Sequence, residues 1–114
     1  RGDIVILEAP DSYKKDYIKR VIGIEGDKIE ILDGKVYLND ELLNEYYIDE
    51  QSYTHTYDVD TWVVPTGEVF VLGDNRGEGA SKDSRFFGCV PIKSLKGITG
   101  FRYFPLNRRF GRIK

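Results

Sequence analysis

Two short segments of alternating polarity, separated by two residues, constrain the fold of this chain more than any other feature of its sequence. Residues 28–32 and 35–38 alternate apolar and polar side chains, and Asp33-Gly34 stands between them. An Asp-Gly pair in that position predicts a tight hairpin with a type I′ turn, because both turn residues must adopt positive φ angles. The two segments therefore predict antiparallel β-structure.

The rest of the chain also consists of short apolar runs and turns. Asn39-Asp40 predicts a second turn, and the polar, tyrosine-rich residues 44–62 predict a long loop. No stretch of ten residues has a helical period. The predicted fold class is mainly β, with antiparallel sheets that form a bent or partly open barrel. The predicted strands are residues 4–7, 16–22, 28–32, 35–38, 69–72 and 98–104.

Length and composition exclude several classes of protein. The 114 residues are enough for one domain with a modest core. The longest apolar runs, at 4–7 and 69–72, have four residues and are too short to cross a membrane. The single cysteine, Cys89, and the single histidine, His55, exclude an internal disulfide framework and a cysteine- or histidine-rich metal cluster.

Charge is distributed unevenly along the chain. The net charge is −2, yet residues 91–114 hold seven lysines and arginines and no acidic residue. A solvated basic face is the simplest interpretation of this segment. A surface that faces anionic lipid or nucleic acid is the alternative.

Lys19 is an unusual residue for its position in a predicted strand. Alternation places it on the same face as Tyr17 and Val21. An exposed lysine on an edge strand is the ordinary interpretation. If the face is buried, desolvation disfavours the ammonium form and can lower the pKa of a lysine by several units. Such an amine can act as a general base near neutral pH.

A dense polar segment follows the predicted strand at 69–72. Its turn-forming residues are compatible with an elaborate loop and nothing more. However, two arginines, two aspartates and two serines within residues 73–85 exceed what a turn requires. They indicate a hydrogen-bonded network of ion pairs, of the kind that holds a functional site in shape.

Three segments of the sequence resemble the bacterial type I signal peptidases. RGDIVIL at 1–7 resembles the family's Arg-Gly-Asp sequence and apolar strand, and YIKRVIGIEGD at 17–27 resembles its lysine-bearing strand and turn. VPTGEVFVLGDNR at 64–76, followed by SKDSRFFGCVP at 81–91, resembles its last signature. Residues 77–80 make the spacing between GDNR and DSR longer than is usual in the family.

In that family a serine nucleophile is paired with a lysine general base. The resemblance implies that Lys19 is the base and that the hydroxyl of Ser81 orients its amine. It also implies that neither a metal ion nor an organic cofactor is needed. The supporting network implied by the resemblance comprises Arg20, Asp74, Asn75, Arg76, Asp83, Ser84 and Arg85. We expect Lys19 to be buried near Ser81, and we expect ion pairs of Arg20 with Asp74 and of Asp83 with Arg85.

The serine nucleophile has no counterpart in this sequence. The family carries it upstream of the Arg-Gly-Asp segment, just after the membrane anchor, and here no residue precedes Arg1. We therefore expect residues 1–114 to be the catalytic β domain of a longer protein, with a hairpin and polar loop at 28–66, and to be inactive by themselves. The remaining serines do not match the nucleophile segment: Ser12, Ser52, Ser84 and Ser94.

The function implied by the resemblance is that of a serine endopeptidase that removes signal peptides from exported preproteins. It would act as a monomer at the extracytoplasmic surface of a bacterial cell membrane, with its substrate bound as an added β-strand and without nucleic acid. One alternative is an inactive homologue that serves as an assembly or scaffold partner, although a scaffold has no use for a buried lysine. A self-cleaving repressor-type peptidase is another, and the GDNR and DSR motifs favour the signal peptidase over it.

Overall fold

A computed structural model describes residues 1–10, 16–49, 51–77 and 82–98, and the regular structure of these residues consists mainly of antiparallel strands. A four-residue helix, α1 (Ser84–Phe87), and a 3-10 turn, Ile92–Ser94, lie between the last strands. The strands are β1 Ile4–Glu8, β2 Asp16–Ile24, β3 Lys28–Leu32, β4 Lys35–Leu38, β5 Glu41–Leu42, β6 Thr61–Val63, β7 Glu68–Leu72, β8 Val90–Pro91 and β9 Leu95–Ile98.

The strands form two sheets. The first has the order β8-β7-β2-β1-β9, and the second has the order β5-β4-β3-β6. All the strand pairs are antiparallel, and within the described part of the chain neither sheet closes into a barrel. The prediction of a mainly β fold with open antiparallel sheets is confirmed.

The predicted hairpin is present with the predicted turn. β3 and β4 pair in register from Ile29 with Leu38 to Leu32 with Lys35. Asp33 and Gly34 have φ angles of 49° and 76°, as a type I′ turn requires. The next turn is also confirmed, because the residues between β4 and β5 have φ angles of 51° and 71°.

The strands predicted at 4–7, 16–22 and 69–72 are confirmed, and β2 continues two residues further, to Ile24. The interpretation of 44–62 as loop was wrong at its end, where β6 begins at Thr61 and pairs with β3. Three residues are too few for a recognisable alternation. Apart from Ile98, at which β9 ends, the strand predicted at 98–104 lies outside the described residues.

β2 and β7 connect the two halves of the core. Alternation sends Val21 and Val71 into one apolar cluster, and Ile22 and Phe70 into the other. The first cluster comprises Val5, Leu7, Val21, Ile24, Val69, Val71, Val90 and Leu95. The second comprises Ile22, Ile29, Ile31, Val36, Val64, Phe70 and Leu72. The strand that carries Lys19 and the strand that leads into the polar segment are thus fixed from both faces.

An ion pair joins the beginning of the chain to the turn after β2. Arg1 donates from Nε and Nη2 to the carboxylate of Asp27, at 2.8 and 2.6 Å. The same buried carboxylate accepts bonds from the backbone N–H of Ile24 at 2.8 Å and from Nδ2 of Asn39 at 3.0 Å. Burial by itself would raise the pKa of Asp27, but the hydrogen bonds from Arg1, Ile24 and Asn39 outweigh it and lower the pKa.

We predict that Asp27→Asn lowers the free energy of unfolding at pH 7 by about 2 kcal/mol, because it removes charge-assisted hydrogen bonds from a buried site. The lowered pKa of Asp27 means that its stabilising contribution is present above the ordinary pKa of about 4 and is lost as the pH falls through the folded value. The difference between wild type and variant should therefore shrink on acidification. Urea unfolding at several pH values measures this.

The exposed Asp58 provides the matched control. Asp58→Asn should change the stability by no more than about 0.5 kcal/mol at any of these pH values. A stability difference for Asp27→Asn that stays constant from pH 7 to strong acid would contradict the assignment.

Candidate active site

Lys19 lies in the middle of β2 with its side chain against the first apolar cluster. Only 8% of the residue is exposed, which confirms the prediction that it is buried. It faces Val5 across the β1–β2 pair, and its amine lies 5.0 Å from the centre of the Tyr17 ring. Ser81 lies outside the described residues, so the expected contact between the two side chains stays a prediction.

Arg20, the next residue, joins β2 to the polar segment. It donates to both carboxylate oxygens of Asp74, from Nε at 3.0 Å and from Nη2 at 2.9 Å. Its Nη1 donates to the carbonyl oxygen of Gly2 at 3.0 Å. The predicted pair of Arg20 with Asp74 is confirmed, and it is bidentate, the strong geometry for an arginine with a carboxylate.

Asp83 and Arg85 form a second bidentate pair, which is fully buried. Arg85 donates from Nε at 2.9 Å and from Nη2 at 2.8 Å, and both side chains have 0% exposure. Asp83 also caps α1 by accepting the backbone N–H of Arg85, and it accepts the N–H of Gly73 at 3.0 Å. This predicted pair is confirmed too. It fastens the two ends of the polar segment to each other.

Arg76 has a partner that the sequence did not indicate. Its fully buried guanidinium donates to both oxygens of Glu45, at 3.1 and 2.7 Å, and to Oγ1 of Thr54 at 3.2 Å. Its Nε donates to the carbonyl of Gly73. Glu45 and Thr54 belong to the tyrosine-rich segment that the sequence predicts to be a loop. A buried arginine generally requires a carboxylate partner. Nothing in the sequence identifies Glu45, among the neighbouring acidic residues, as that partner.

The backbone closes the same network. Arg85 donates from Nη1 to the carbonyl oxygens of His55 and Arg76, at 3.0 and 3.2 Å. His55 thus contributes through its main chain, and its ring packs beside Tyr53 with the ring centres 4.8 Å apart. Among the described residues, no contact of the imidazole indicates a chemical role.

The two remaining members of the implied network have different surroundings. Asn75 is exposed, and its Oδ1 accepts the N–H of Gly77 at 3.4 Å. Ser84 is fully buried, and its hydroxyl oxygen accepts the N–H of Val71 at 2.9 Å. Ser84 therefore joins α1 to β7 and has no access to a substrate.

Other nucleophiles of the described residues are poorly suited to attack a peptide bond. The hydroxyl of Ser94 donates to the carbonyl oxygen of Pro91 at 2.7 Å. Burial, and then the charge of Glu68, raise the pKa of Cys89 to about 11, so that its unreactive thiol form dominates at neutral pH. Within the same part of the chain, no cluster of three or more histidine, cysteine, aspartate or glutamate side chains is arranged to hold a metal ion.

Comparison with known proteins places this arrangement in a family. The sequence model of the family described as signal peptidase, peptidase S26, matches residues 1–104. A crystal structure of a signal peptidase I from Enterococcus faecalis V583 superposes with a TM-score of 0.72 at 33% identity, and the match covers 88% of this chain and 95% of that one. The chain belongs to the signal peptidase family, peptidase S26. The resemblance inferred from the sequence is confirmed.

Two curated relatives show how far the similarity extends. Thylakoidal processing peptidase 1, chloroplastic, of Arabidopsis thaliana is 39% identical over 91% of this chain and 32% of its own length. Signal peptidase I of Bacillus licheniformis is 36% identical over 94% of this chain and 60% of its own length. The chain thus spans only part of the curated relatives that it matches. No helix among the described residues has the length and apolar character needed to span a membrane.

We predict that Asp83→Asn lowers the free energy of unfolding by about 3–5 kcal/mol, because it leaves the buried Arg85 without its counter-charge. Chemical denaturation at pH 7 provides the measurement. The double variant Asp83→Asn/Arg85→Gln removes both charges and should be less destabilised than the sum of the two single variants. Strictly additive effects would show that the pair contributes no coupling energy.

Proposed function

We propose that the intact protein to which this chain belongs is a membrane-associated serine endopeptidase that removes signal peptides from exported preproteins. The observation that carries the proposal is the burial of Lys19, an ionisable side chain, on an apolar sheet face next to an ion-paired loop. Family membership over residues 1–104 supports it. Lys19 is the general base, and a serine from another part of the intact protein is the nucleophile.

The chemistry follows from these roles. The amine of Lys19 accepts the proton of the attacking hydroxyl as the serine oxygen bonds to the scissile carbonyl carbon. The proton then passes to the leaving nitrogen as the C–N bond breaks, and water releases the acyl group from the serine. Ser81 orients the amine by a hydrogen bond. The paired side chains of Asp74 and Asp83 keep the segment that contains Ser81 in shape.

The substrate is expected to bind as an extended strand. Within the described residues both sheets end in edge strands, and an edge offers backbone N–H and C=O groups to a peptide. The family resemblance implies small side chains at the −1 and −3 positions of the signal peptide. The proposed site of action is the extracytoplasmic surface of a bacterial cell membrane, and the proposed active form is a monomer.

We predict that Lys19→Ala lowers the rate of precursor cleavage by the intact protein roughly a thousandfold or more, because it removes the base that accepts the serine proton. Lys19→Arg should not restore activity, since an arginine stays protonated and cannot accept a proton. The wild-type rate should rise with pH, because only the neutral amine is a base. Steady-state cleavage of a preprotein at several pH values measures all three effects.

Lys93→Arg is the matched control, because Lys93 is an exposed lysine outside the segments that carry the site. It should cleave at the wild-type rate. Comparable cleavage by Lys19→Arg would remove the lysine from the mechanism. A wild-type intact protein that cleaves no precursor would favour the alternative of an inactive assembly partner.

A further inference from the structure

The loop at 73–77, which leads along the chain toward Ser81, is attached to the rest of the fold by two separate arginine contacts. At one point its Asp74 accepts the bidentate bonds of Arg20 from β2. At the other point its Arg76 reaches Glu45 in the tyrosine-rich segment. The two contacts lie on different parts of the chain, and a single side chain connects them.

That side chain is Tyr47. Its hydroxyl donates to Oε2 of Glu45 at 3.0 Å, the same oxygen that accepts Nη2 of Arg76. Its ring lies against the guanidinium of Arg20, with 3.8 Å between Cζ and the ring centre. A planar guanidinium stacks favourably on an aromatic ring, and the stacking restricts the orientation of its N–H donors. Tyr47 therefore touches both attachment points.

The hydroxyl of Tyr47 is protonated at neutral pH and donates its hydrogen bond there. Burial, and then the negative charge of Glu45, raise the pKa of Tyr47 far above its ordinary value. The carboxylate of Glu45 thus receives donors from both sides, the phenol and the guanidinium. The side chain of Glu45 is only 9% exposed, so that these bonds are partly shielded from water.

We propose that Glu45 and Tyr47 are positioning residues, which hold the 73–77 loop in a fixed place relative to the Lys19 strand. The consequence of this positioning for catalysis rests on the function proposed above. The attachment of the loop is a property of the fold and is tested separately. Neither residue needs to touch the substrate, since both act through Arg20 and Arg76.

The expected size of the effect follows from how strictly proton transfer depends on geometry. A displacement of about 1 Å at a reacting group can lower a rate by about a hundredfold. Loss of one buried hydrogen bond commonly weakens a structure by an amount that corresponds to about a fivefold increase in local opening. The loss of one tyrosine hydroxyl should thus be measurable in both the loop and the rate.

The decisive variant is Tyr47→Phe in the intact protein, because it removes only the hydroxyl and keeps the ring on Arg20. Glu45→Gln is the stronger change, but it leaves the buried charge of Arg76 unpaired and can prevent folding. Tyr46→Phe is the matched control. Tyr46 is the adjacent residue and is 82% exposed, and its substitution removes a hydroxyl group as Tyr47→Phe does.

Two readouts separate positioning from general stability. The first is hydrogen exchange of the amides at 73–77, which should become about fivefold faster in Tyr47→Phe and stay unchanged in Tyr46→Phe. The second is precursor cleavage well below the unfolding temperature. There, kcat should fall about tenfold in Tyr47→Phe, while KM stays within about twofold of wild type.

Each outcome decides the matter. Unchanged exchange at 73–77 in Tyr47→Phe overturns the inference, whatever the activity. Faster exchange with unchanged kcat overturns the positioning role and leaves a structural one. If the wild-type protein cleaves nothing, the proposed function has failed, whereas the exchange experiment still decides whether the two residues hold the loop. Faster exchange together with a lower kcat supports both.

Discussion

Two guanidinium groups withdrawn from water determine the shape of the polar segment between β7 and β8. Arg76 and Arg85 have side chains with 0% exposure, and each presents five N–H donors that need acceptors. The carboxylates of Glu45 and Asp83 supply the counter-charges, and backbone carbonyl oxygens supply further acceptors. A buried charge without its partner is so unfavourable that the loop has few alternatives to the conformation that satisfies both arginines. In the described parts of the segment, 73–77 and 82–85, the conformation thus depends on desolvated charge more than on apolar packing.

β2 brings this segment to the buried amine. Its side chains alternate from Lys19 to Ile22, before the register against β7 shifts, so that Lys19 faces the first apolar cluster while Arg20 faces the loop and Asp74. A shift of one residue in the pairing with β1 or β7 would exchange the two cations and place the arginine fork among apolar side chains. The valines, isoleucines and phenylalanine of β2 and β7 fix the register on both faces. The packing of the core therefore determines which of two adjacent cations is buried.

The parts of this architecture that could be predicted are those with local causes. Asp33-Gly34 specifies its turn by backbone geometry, and the strands β1, β2 and β7 follow from apolar alternation. The ion pair of Asp83 with Arg85 is also local, since its partners are two positions apart in the sequence. The pair of Arg20 with Asp74 spans 54 residues and became predictable only through the family resemblance. Glu45 and Thr54 were missed because their roles depend on how a segment without periodicity folds back over the hairpin turn. There, Thr54 donates to the carbonyl of Gly34 at 2.9 Å.

Lysine and arginine have distinct tasks in this site and are not interchangeable. A guanidinium is always charged and planar, so that Arg20 can bind both oxygens of Asp74 and stack on Tyr47 at the same time. An ammonium at that position would keep one charge contact and lose the fork. An amine can lose its proton when desolvated, which a guanidinium in a protein does not do. In the proposed mechanism, the adjacent positions 19 and 20 therefore separate two demands: a cation that fixes geometry permanently and an amine whose proton can move.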